Sequence, residues 1–416
     1  MFKMLDVLMR RIVRRGSLTL IDARGIAHCY GDGGEPFVAA RIADTRLERH
    51  LAFDPQLALG EGYMQGRLKM EQGRIYDLLE LLLSNIQHRP MPAWTSSLDA
   101  ARYLVRRLMQ FNPSGRAQRN VAHHYDINGA IYDLFLDRDR QYSCGYFTDG
   151  ADLEEAQQAK KRHLAAKLAI EPDQRVLDIG SGWGGLGLYL AKVAHCDVTG
   201  VTLSNEQLKV SCERAAKEGL SRVARFEFKD YRKVEGRFHR IVSVGMFEHV
   251  GVNHYATFFR KVRDLLTDDG VALIHTIGRS EPPTVTNPFI AKYIFPGGYI
   301  PALSEMVAGI ERSGLMISDL EVLRLHYAET LRVWRERFLV NWDRAAAILD
   351  ERFCRMWEFY LAGSETAFRY QNLVVFQVQL VKRITSLPIT RDYMYRHEHG
   401  FLEHEALEGR PRMAGE

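Results

Sequence analysis

Apolar residues recur at different spacings in three regions of the chain. At the amino terminus the spacing is near-helical, and the apolar side of the predicted helix carries Phe2, Leu5, Leu8, Met9, Ile12 and Val13. The other side carries the basic residues Lys3, Arg10, Arg11, Arg14 and Arg15. Such a helix either lies on an anionic membrane or packs on its own domain with its basic face in water. The sequence leaves both interpretations open.

The rest of the first region combines strand-like runs, turns and one apolar helix. Residues 17–23 and 37–43 are strand-like, and residues 60–70 continue that pattern with glycine punctuation. Residues 76–85 are strongly apolar and predict a helix. Together these elements predict a small α+β domain over residues 1–115, whose last part is a linker with one basic helix at Leu98–Gln110.

The second region, residues 116–280, alternates short apolar runs with helical patterns. Residues 175–179 read as a buried strand that leads into the glycine-rich loop 180–185 and then a helix. A G-x-G-x-x-G loop in this context predicts a ligand held against the backbone at a helix amino terminus. The next strand, residues 197–203, ends without an acid to hold ribose hydroxyls, which disfavours a dinucleotide. With Asp178 before the glycines, the loop resembles that of Rossmann-like methyltransferases that use S-adenosylmethionine (AdoMet).

The third region, residues 281–395, is aromatic-rich and mostly helical. Aromatic residues at helical spacing between 334 and 376 are typical of a hydrophobic core. The last residues, 396–416, are polar and are expected to form a frayed tail.

Composition and charge narrow the class of protein. The 416 residues are 46% hydrophobic and 26% charged, which predicts two or three folded domains and excludes a mainly disordered chain. We find no apolar run long enough for a transmembrane helix, and the basic amino terminus lacks the features of a secretory signal. Five cysteines without a C-x-x-C pair predict reduced thiols in a cytoplasmic protein rather than a disulfide framework or zinc site. Residues 1–120 carry 18 Lys and Arg against 12 Asp and Glu, which favours an anionic partner, phospholipid or nucleic acid.

Several motifs in a fixed order carry a family resemblance. They are HHYDINGAIYDLFLD (residues 123–137), YSCGYF (142–147), DIGSGWGG, GVTLSNEQ, VGMFEHVG, LIHTIG and KYIFPGGYIP. Over about residues 116–395 the chain resembles the cyclopropane-fatty-acyl-phospholipid synthase family. The first 115 residues are more weakly similar to the lipid-binding domain of the bacterial phospholipid enzymes, which the mycolic-acid cyclopropane synthases lack. One departure is Ser181, where the family often has cysteine.

The resemblance implies a fold and a reaction. The fold would be α/β, a Rossmann-like class I AdoMet methyltransferase with helical acyl-pocket insertions and a small amino-terminal α+β lipid-binding domain. The implied domains are 1–115 for lipid binding, 116–395 for catalysis and 396–416 as the polar tail. The enzyme would transfer a methylene from AdoMet to a cis double bond of an unsaturated phospholipid through a carbocation, with bound bicarbonate as base. A homodimer, located in the cytoplasm and associated with the inner face of the membrane, is the family expectation.

The resemblance also implies site residues. Bicarbonate would be bound by Cys144, Glu248, His275, Ile277 and Tyr327, with Cys144 and Ile277 contributing mainly backbone contacts. Either a shared proton or a His275 cation must then balance the charge of Glu248 beside the anion. AdoMet would be bound by Tyr142, Ser143, Asp178, Gly180, Gly182, Thr202, Leu203, Gln207, Asp230 and Tyr231. Part of the aromatic cluster would line an acyl channel.

Other readings remain open at this point. A related methyltransferase could give a methyl-branched or unsaturated product, and a lipid-binding protein could bind AdoMet without turnover. Methylation of a small amine fits the amino-terminal region less well. Nucleic-acid methylation is disfavoured because no N-P-P-Y-like tetrapeptide follows the fourth strand. Cys144 is expected to be a small buried side chain rather than a nucleophile, and His123, His124 and His249 form no complete metal site.

Overall fold

The computed structural model describes residues 2–86, 100, 102–103, 110 and 129–408. Most of the predicted basic helix Leu98–Gln110, the pair His123 and His124, and the end of the predicted tail lie outside the described residues. Within the described ranges, no helix is long and apolar enough to cross a membrane.

Helices and strands alternate along much of the chain. Residues 2–86 form α1 (Phe2–Ile12), β1 (Ser17–Ile21), β2 (Ala27–Gly31), β3 (Phe37–Ile42), α2 (Thr45–Phe53), α3 (Pro55–Met64), β4 (Leu68–Gln72) and α4 (Ile75–Ile86). Residues 129–279 form α5 (Gly129–Tyr132), α6 (Leu153–Lys167), β5 (Arg175–Ile179), α7 (Gly185–Val193), β6 (Asp197–Thr202), α8 (Asn205–Lys217), β7 (Ala224–Phe228), β8 (Phe238–Val244), α9 (Tyr255–Leu265) and β9 (Leu266–Arg279). The remainder forms α10 (Leu303–Glu311), β10 (Met316–Leu323), α11 (His326–Val340), α12 (Trp342–Ile348), α13 (Glu351–Tyr370), β11 (Leu373–Val381) and α14 (Asp392–Glu408).

The chain forms two compact units that do not follow its order. We call them the insertion unit, residues 1–109, 284–297 and 327–373, and the sheet unit, residues 110–283, 298–326 and 374–416. The sequence instead predicts a division near residue 115, with each domain continuous in the chain. Whether residues 1–115 act in lipid binding and residues 116–395 in catalysis stays a prediction.

The sheet unit contains a seven-stranded sheet in the order β10-β11-β9-β8-β5-β6-β7. The strands from β9 through β8, β5 and β6 to β7 pair in parallel, and β10 pairs antiparallel with β11. Both faces are covered, since adjacent residues Val176 and Leu177 of β5 belong to different core clusters. The predicted α/β class is therefore confirmed. The order reverses at β5, between β6 and β8, and ligands bind beyond the carboxyl ends of the strands at such a point.

The insertion unit contains a four-stranded sheet in the order β2-β1-β3-β4 and a layer of helices. The long helix α13 packs against α3 and α4 of the amino-terminal segment. The hydroxyl of Tyr63 donates to Glu358 at 2.5 Å, and that of Tyr370 donates to Glu80 at 2.7 Å. Phe289 lies so close to Gly60 that a β-carbon there would lie 2.4 Å from its ring. Late chain segments therefore complete a core that the first 86 residues begin.

Helix α1 is the amphipathic helix that the sequence predicts. Its apolar residues Leu5, Leu8, Met9 and Ile12 are buried, and its basic residues face outward. Of the two interpretations of this helix, packing on its own unit explains why its apolar side is buried. The strand pattern predicted from residue 60 is wrong for Gly60–Met64, which end helix α3.

The predicted frayed tail is also wrong as far as Glu408, because these residues belong to helix α14. Phe401 packs into the core of the sheet unit. Glu405 accepts hydrogen bonds from Arg162 at 2.6 Å and from the Tyr189 hydroxyl at 2.7 Å. One ion pair, one hydrogen bond from a hydroxyl and one buried aromatic side chain thus hold a segment whose average composition is polar.

Candidate active site

The glycine-rich loop joins β5 to α7 at the point where the strand order reverses. Gly180 and Gly184 both have φ near +84°, a conformation that favours glycine. A β-carbon at Gly180 would lie 2.9 Å from Cβ of Met246. The loop is fixed from outside by the carbonyl of Val201, which accepts from the N–H groups of Gly180 at 2.9 Å and Ser181 at 3.1 Å. The sequence therefore folds here into a rigid cradle whose backbone is open to a ligand.

A cavity in the sheet unit lies over this loop. All ten residues predicted to bind AdoMet line it: Tyr142, Ser143, Asp178, Gly180, Gly182, Thr202, Leu203, Gln207, Asp230 and Tyr231. They come from four separated chain segments, so the fold brings together what the sequence spreads over about ninety positions. Asp178 is buried, and its Oδ2 has no hydrogen-bond partner among the described residues. A buried acceptor and a glycine cradle fit the amino-acid end of AdoMet.

The cavity also offers hydroxyl, amide and carboxylate groups. Thr202 donates from Oγ1 to Oε1 of Gln207 at 2.9 Å, and Ser204 caps helix α8 through the N–H of Gln207. Arg232 donates from Nε and Nη2 to the carboxylate of Asp230 at 2.8 and 2.5 Å. Although burial opposes it, these bonds hold the pKa of Asp230 below its ordinary value. Asp230 is therefore a fixed, ionised acceptor.

Helix α6 holds the segment that carries Tyr142, Ser143 and Cys144. Gln157 donates to the backbone carbonyl of Ser143 at 2.9 Å. One turn along the helix, Lys160 donates to the hydroxyl oxygen of Ser143 at 2.8 Å. Cys144 is buried, and its thiol donates to the carbonyl of Gly145 at 3.2 Å. Its burial agrees with the prediction that Cys144 is a small buried side chain.

Glu248 lies on a single 3₁₀ turn, Phe247–His249, after β8. Its Oε1 accepts from the backbone N–H of Ile277 at 2.7 Å, whereas Oε2 is buried and has no partner among the described residues. Burial raises the pKa of Glu248 to about 7. The N–H of Ile277, predicted to face bicarbonate, is thus directed to the carboxyl group. The backbone holds this carboxyl group where it can exist in its protonated form near neutral pH.

His275 lies on β9, directly opposite Val244 of β8, and is buried. The side-chain amide of Gln377 donates to Nδ1 of His275 at 3.2 Å, so Nε2 carries the ring hydrogen. This Nε2 has no partner among the described residues. Burial lowers the pKa of His275 to about 3, so the ring is neutral. Of the two ways to balance charge at Glu248, the structure disfavours the His275 cation and favours a shared proton.

Tyr327 belongs to the insertion unit, whereas the other four predicted bicarbonate residues belong to the sheet unit. Its ring is buried, 5.9 Å from Trp334 and 4.9 Å from Phe368 between centroids. Trp334, Phe338 and Trp357 are also fully buried, which agrees with the core interpretation of the aromatic cluster. An acyl channel along this cluster stays a prediction.

Sequence reasoning missed several residues of the cavity. Lys160, Gln141 and Arg232 line it together with Trp183 and Met246. Lys160 and Gln157 lie three positions apart in a helical pattern, so both must face the same side. A lysine on that apolar side was a signal that could have been read. The sequence gives no comparable signal for Met246, because this residue contacts a glycine that is far away in the sequence.

Comparison with known proteins agrees with this geometry. The family described as mycolic acid cyclopropane synthetase matches residues 113–378. A cyclopropane-fatty-acyl-phospholipid synthase of Escherichia coli is 37% identical over 81% of this chain and 86% of its own length. A probable fatty acid methyltransferase of Pseudomonas putida is 36% identical over 88% of this chain and 93% of its own. The crystal structure of a mycolic acid cyclopropane synthase complexed with SAH and CTAB superposes with a TM-score of 0.61, at 31% identity over 65% of this chain and 99% of that one.

Proposed function

Because the chain belongs to the cyclopropane synthase family, and is an AdoMet-dependent methyltransferase, we propose that it forms cyclopropane fatty acids in phospholipids. In this reaction AdoMet supplies the carbon that is added to a cis double bond. The alkene gains a methyl group and becomes a carbocation, the methyl group loses a proton, and the ring closes. The residues of the chain have to bind the two substrates, shield the cation from water and direct the proton.

The observation that carries the proposal is a pair of polar atoms, at Glu248 and His275, that have no partner in the parts of the chain that the structure describes. The Nε2–H of His275 is a donor, and Glu248 in its protonated form, which burial favours, offers a second donor at Oε2. Two buried donors suit a small oxyanion. Bicarbonate held by these groups, with Cys144 and Tyr327, would supply a base that resists alkylation, and Ile277 would act through its N–H, which positions Glu248. Neutral His275 and protonated Glu248 would leave the single negative charge on the ion.

Carbocation chemistry also needs a dry, electron-rich surrounding. Aromatic faces stabilise positive charge without providing a nucleophile. Within the insertion unit, buried aromatic rings lie around Tyr327, among them Trp334 and Phe368. We propose that part of this aromatic cluster lines the acyl channel.

A phospholipid substrate requires contact with a membrane. Lys3, Arg10, Arg11, Arg14 and Arg15 are all exposed on or beside helix α1. We propose that these cations dock the protein on the anionic inner face of the cytoplasmic membrane. A homodimer is proposed as well, which sedimentation equilibrium can test.

A second outcome of the same chemistry is a methyl-branched or unsaturated acyl chain. The Pseudomonas putida relative, described as a probable fatty acid methyltransferase, gives this alternative weight. The products differ in the fate of the cation after methyl transfer. Loss of a different proton gives an unsaturated chain, and a saturated branched chain forms only if a separate reductant donates hydride to the cation.

Mass spectrometry of acyl chains distinguishes these outcomes. The protein is incubated with AdoMet and vesicles of anionic, cis-unsaturated phospholipid, with Glu248→Gln as the control. We expect a chain one methylene heavier that resists ozone cleavage because no double bond remains. A heavier chain that ozone still cleaves, or a saturated branched chain, would replace ring closure by the alternative. No product despite bound AdoMet would point to another acceptor or to a binding protein.

A further inference from the structure

Lys160 is a fully buried lysine that faces the cofactor cavity. Its ammonium group donates to Oε1 of Gln141 at 2.6 Å and to Oγ of Ser143 at 2.8 Å. An ammonium group has three hydrogens to donate. The third has no acceptor among the described residues, and a buried cation without its full set of partners is costly.

The hydroxyl of Ser143 is oriented by this contact. Because its oxygen accepts from Lys160, its own hydrogen is directed elsewhere, and Ser143 also lines the cavity. One wall of the cavity therefore presents two donors, one of them charged. Two donors at neighbouring positions match the two oxygens of a carboxylate.

Asp178 provides a carboxyl group at the same cavity. Burial raises its pKa to about 7, and the nearby Lys160 favours its ionised form, which carries the opposite charge. Its Oδ2 is buried without a partner among the described residues, and Lys160 is the charged group that acts on it electrostatically. In the described parts of the chain, neither a hydrogen bond nor an ion pair joins Asp178 to Lys160. A cation and an anion that share a cavity without contact suit a ligand carrying both charges itself. The α-amino acid end of AdoMet is such a ligand.

We propose that Lys160 and the Ser143 hydroxyl bind the carboxylate of AdoMet, while Asp178 accepts from its ammonium group. The proposal rests on AdoMet being the co-substrate and adds a binding residue to that site. Asp137, Asp139, Lys161 and Cys144 are the other ionisable groups that act on Lys160, and burial lowers its pKa to about 8. A bound carboxylate would offset the cost of burying the Lys160 ammonium group.

A binding cycle tests the pairing of lysine and carboxylate. Calorimetry measures the affinity of AdoMet and of decarboxylated AdoMet, which lacks only the carboxylate, for the wild-type protein and for Lys160→Met. We expect Lys160→Met to weaken AdoMet binding roughly 10- to 100-fold and binding of the decarboxylated ligand less than about 3-fold. Equal losses for both ligands would mean that Lys160 only supports the fold of residues 141–143, and no loss would also overturn the proposal.

Two further variants keep the test decisive. Lys161→Met is the matched control, because Lys161 is a buried neighbour on the same helix that pairs with Asp139 at 2.7 Å instead of facing the cavity. It should leave the ratio of the two affinities unchanged. If Lys160→Met does not fold, Ser143→Ala replaces it, with a carboxylate-dependent loss of roughly 3- to 10-fold expected. A failure of ring formation on vesicles leaves this cycle intact, whereas absence of AdoMet binding to the wild-type protein would overturn the co-substrate itself.

Discussion

The carboxyl group of Glu248 accepts a hydrogen bond from the backbone N–H of Ile277, with 2.7 Å between Oε1 and the nitrogen. The bond connects the turn after β8 to the end of β9. It leaves Oε2 as the atom that can meet a ligand. Glutamine at this position keeps the acceptor and changes only Oε2, which makes the substitution a narrow probe of chemistry.

We expect Glu248→Gln to abolish turnover, because the proton shared with the oxyanion is lost, while AdoMet binds within about 3-fold of wild type. Product analysis and calorimetry on the same preparation check this. Loss of AdoMet binding in proportion to activity would contradict the assigned role.

The same variant should alter the pH dependence of stability. The pKa of Glu248 is raised to about 7, so between pH 4.5 and 7 the folded protein holds a proton that the unfolded chain has released. The free energy of unfolding therefore falls as pH rises through this window, by up to about 3 kcal/mol. In urea unfolding, the free energy of unfolding of Glu248→Gln relative to that of wild type should increase from pH 4.5 to pH 8. A constant difference across that range would argue against an ionising, buried Glu248.

His275→Ala should also abolish turnover without weakening AdoMet binding, because it removes the donor Nε2. Gln377→Met keeps the size of the side chain but removes the donor that fixes the ring hydrogen. We expect it to lower turnover roughly 10-fold, an intermediate effect. If Gln377→Met retained full turnover, the ring hydrogen would be positioned by something else.

Reversal of charge on the amino-terminal helix should weaken docking to membranes. We expect the triple change of Arg11, Arg14 and Arg15 to Glu to lower binding to anionic vesicles at least 10-fold, with little change for neutral vesicles. The matched control changes the exposed residues Lys209, Lys217 and Arg222 of the sheet unit to Glu, which alters net charge equally. Equal losses in both variants would indicate a general effect of charge. Substitution is preferable to deletion because the amino-terminal segment packs on helix α13.

Stability of the insertion unit should depend on Glu365. This buried carboxylate accepts from Arg335 at 2.9 Å and from Arg369 at 3.2 Å. Glu365→Ala leaves Arg335, which is itself buried, without its main partner, and we expect a loss of about 3–5 kcal/mol. Glu336→Ala, which breaks an exposed pair with Arg332, should cost about 0.5 kcal/mol or less. Denaturant unfolding compares the two, and similar small losses would show that the buried pair contributes little.

Local signals in the sequence were enough to predict the glycine-rich loop and its structural context. The loop at 180–185 stands between a strand and a helix, and this context predicts both its backbone and its position at the end of β5. Thr202 and Gln207, which the family resemblance implies, lie at the end of the next strand and in the first turn of the next helix. In each case, residues close in sequence build the feature.

Features built by distant residues could not be predicted in this way. Lys160 contacts Gln141 and Ser143 across a turn that has no characteristic pattern. The neutral state of His275 depends on its burial beside Gln377. The sequence predicts a polar tail instead of helix α14 because the residues that stabilise the helix, such as Arg162 in contact with Glu405, are far away in the chain.

The discontinuous insertion unit also sets the order in which the protein can be completed during synthesis. Its first segment ends near residue 109, and its last residue is 373. At roughly 5–20 residues per second, the ribosome adds the intervening chain over tens of seconds. Throughout that time, the surface of α3 and α4 that later covers α13 is exposed to water and to other proteins. Newborn chains of this protein therefore pass through an aggregation-prone interval that a chaperone could shorten or shield.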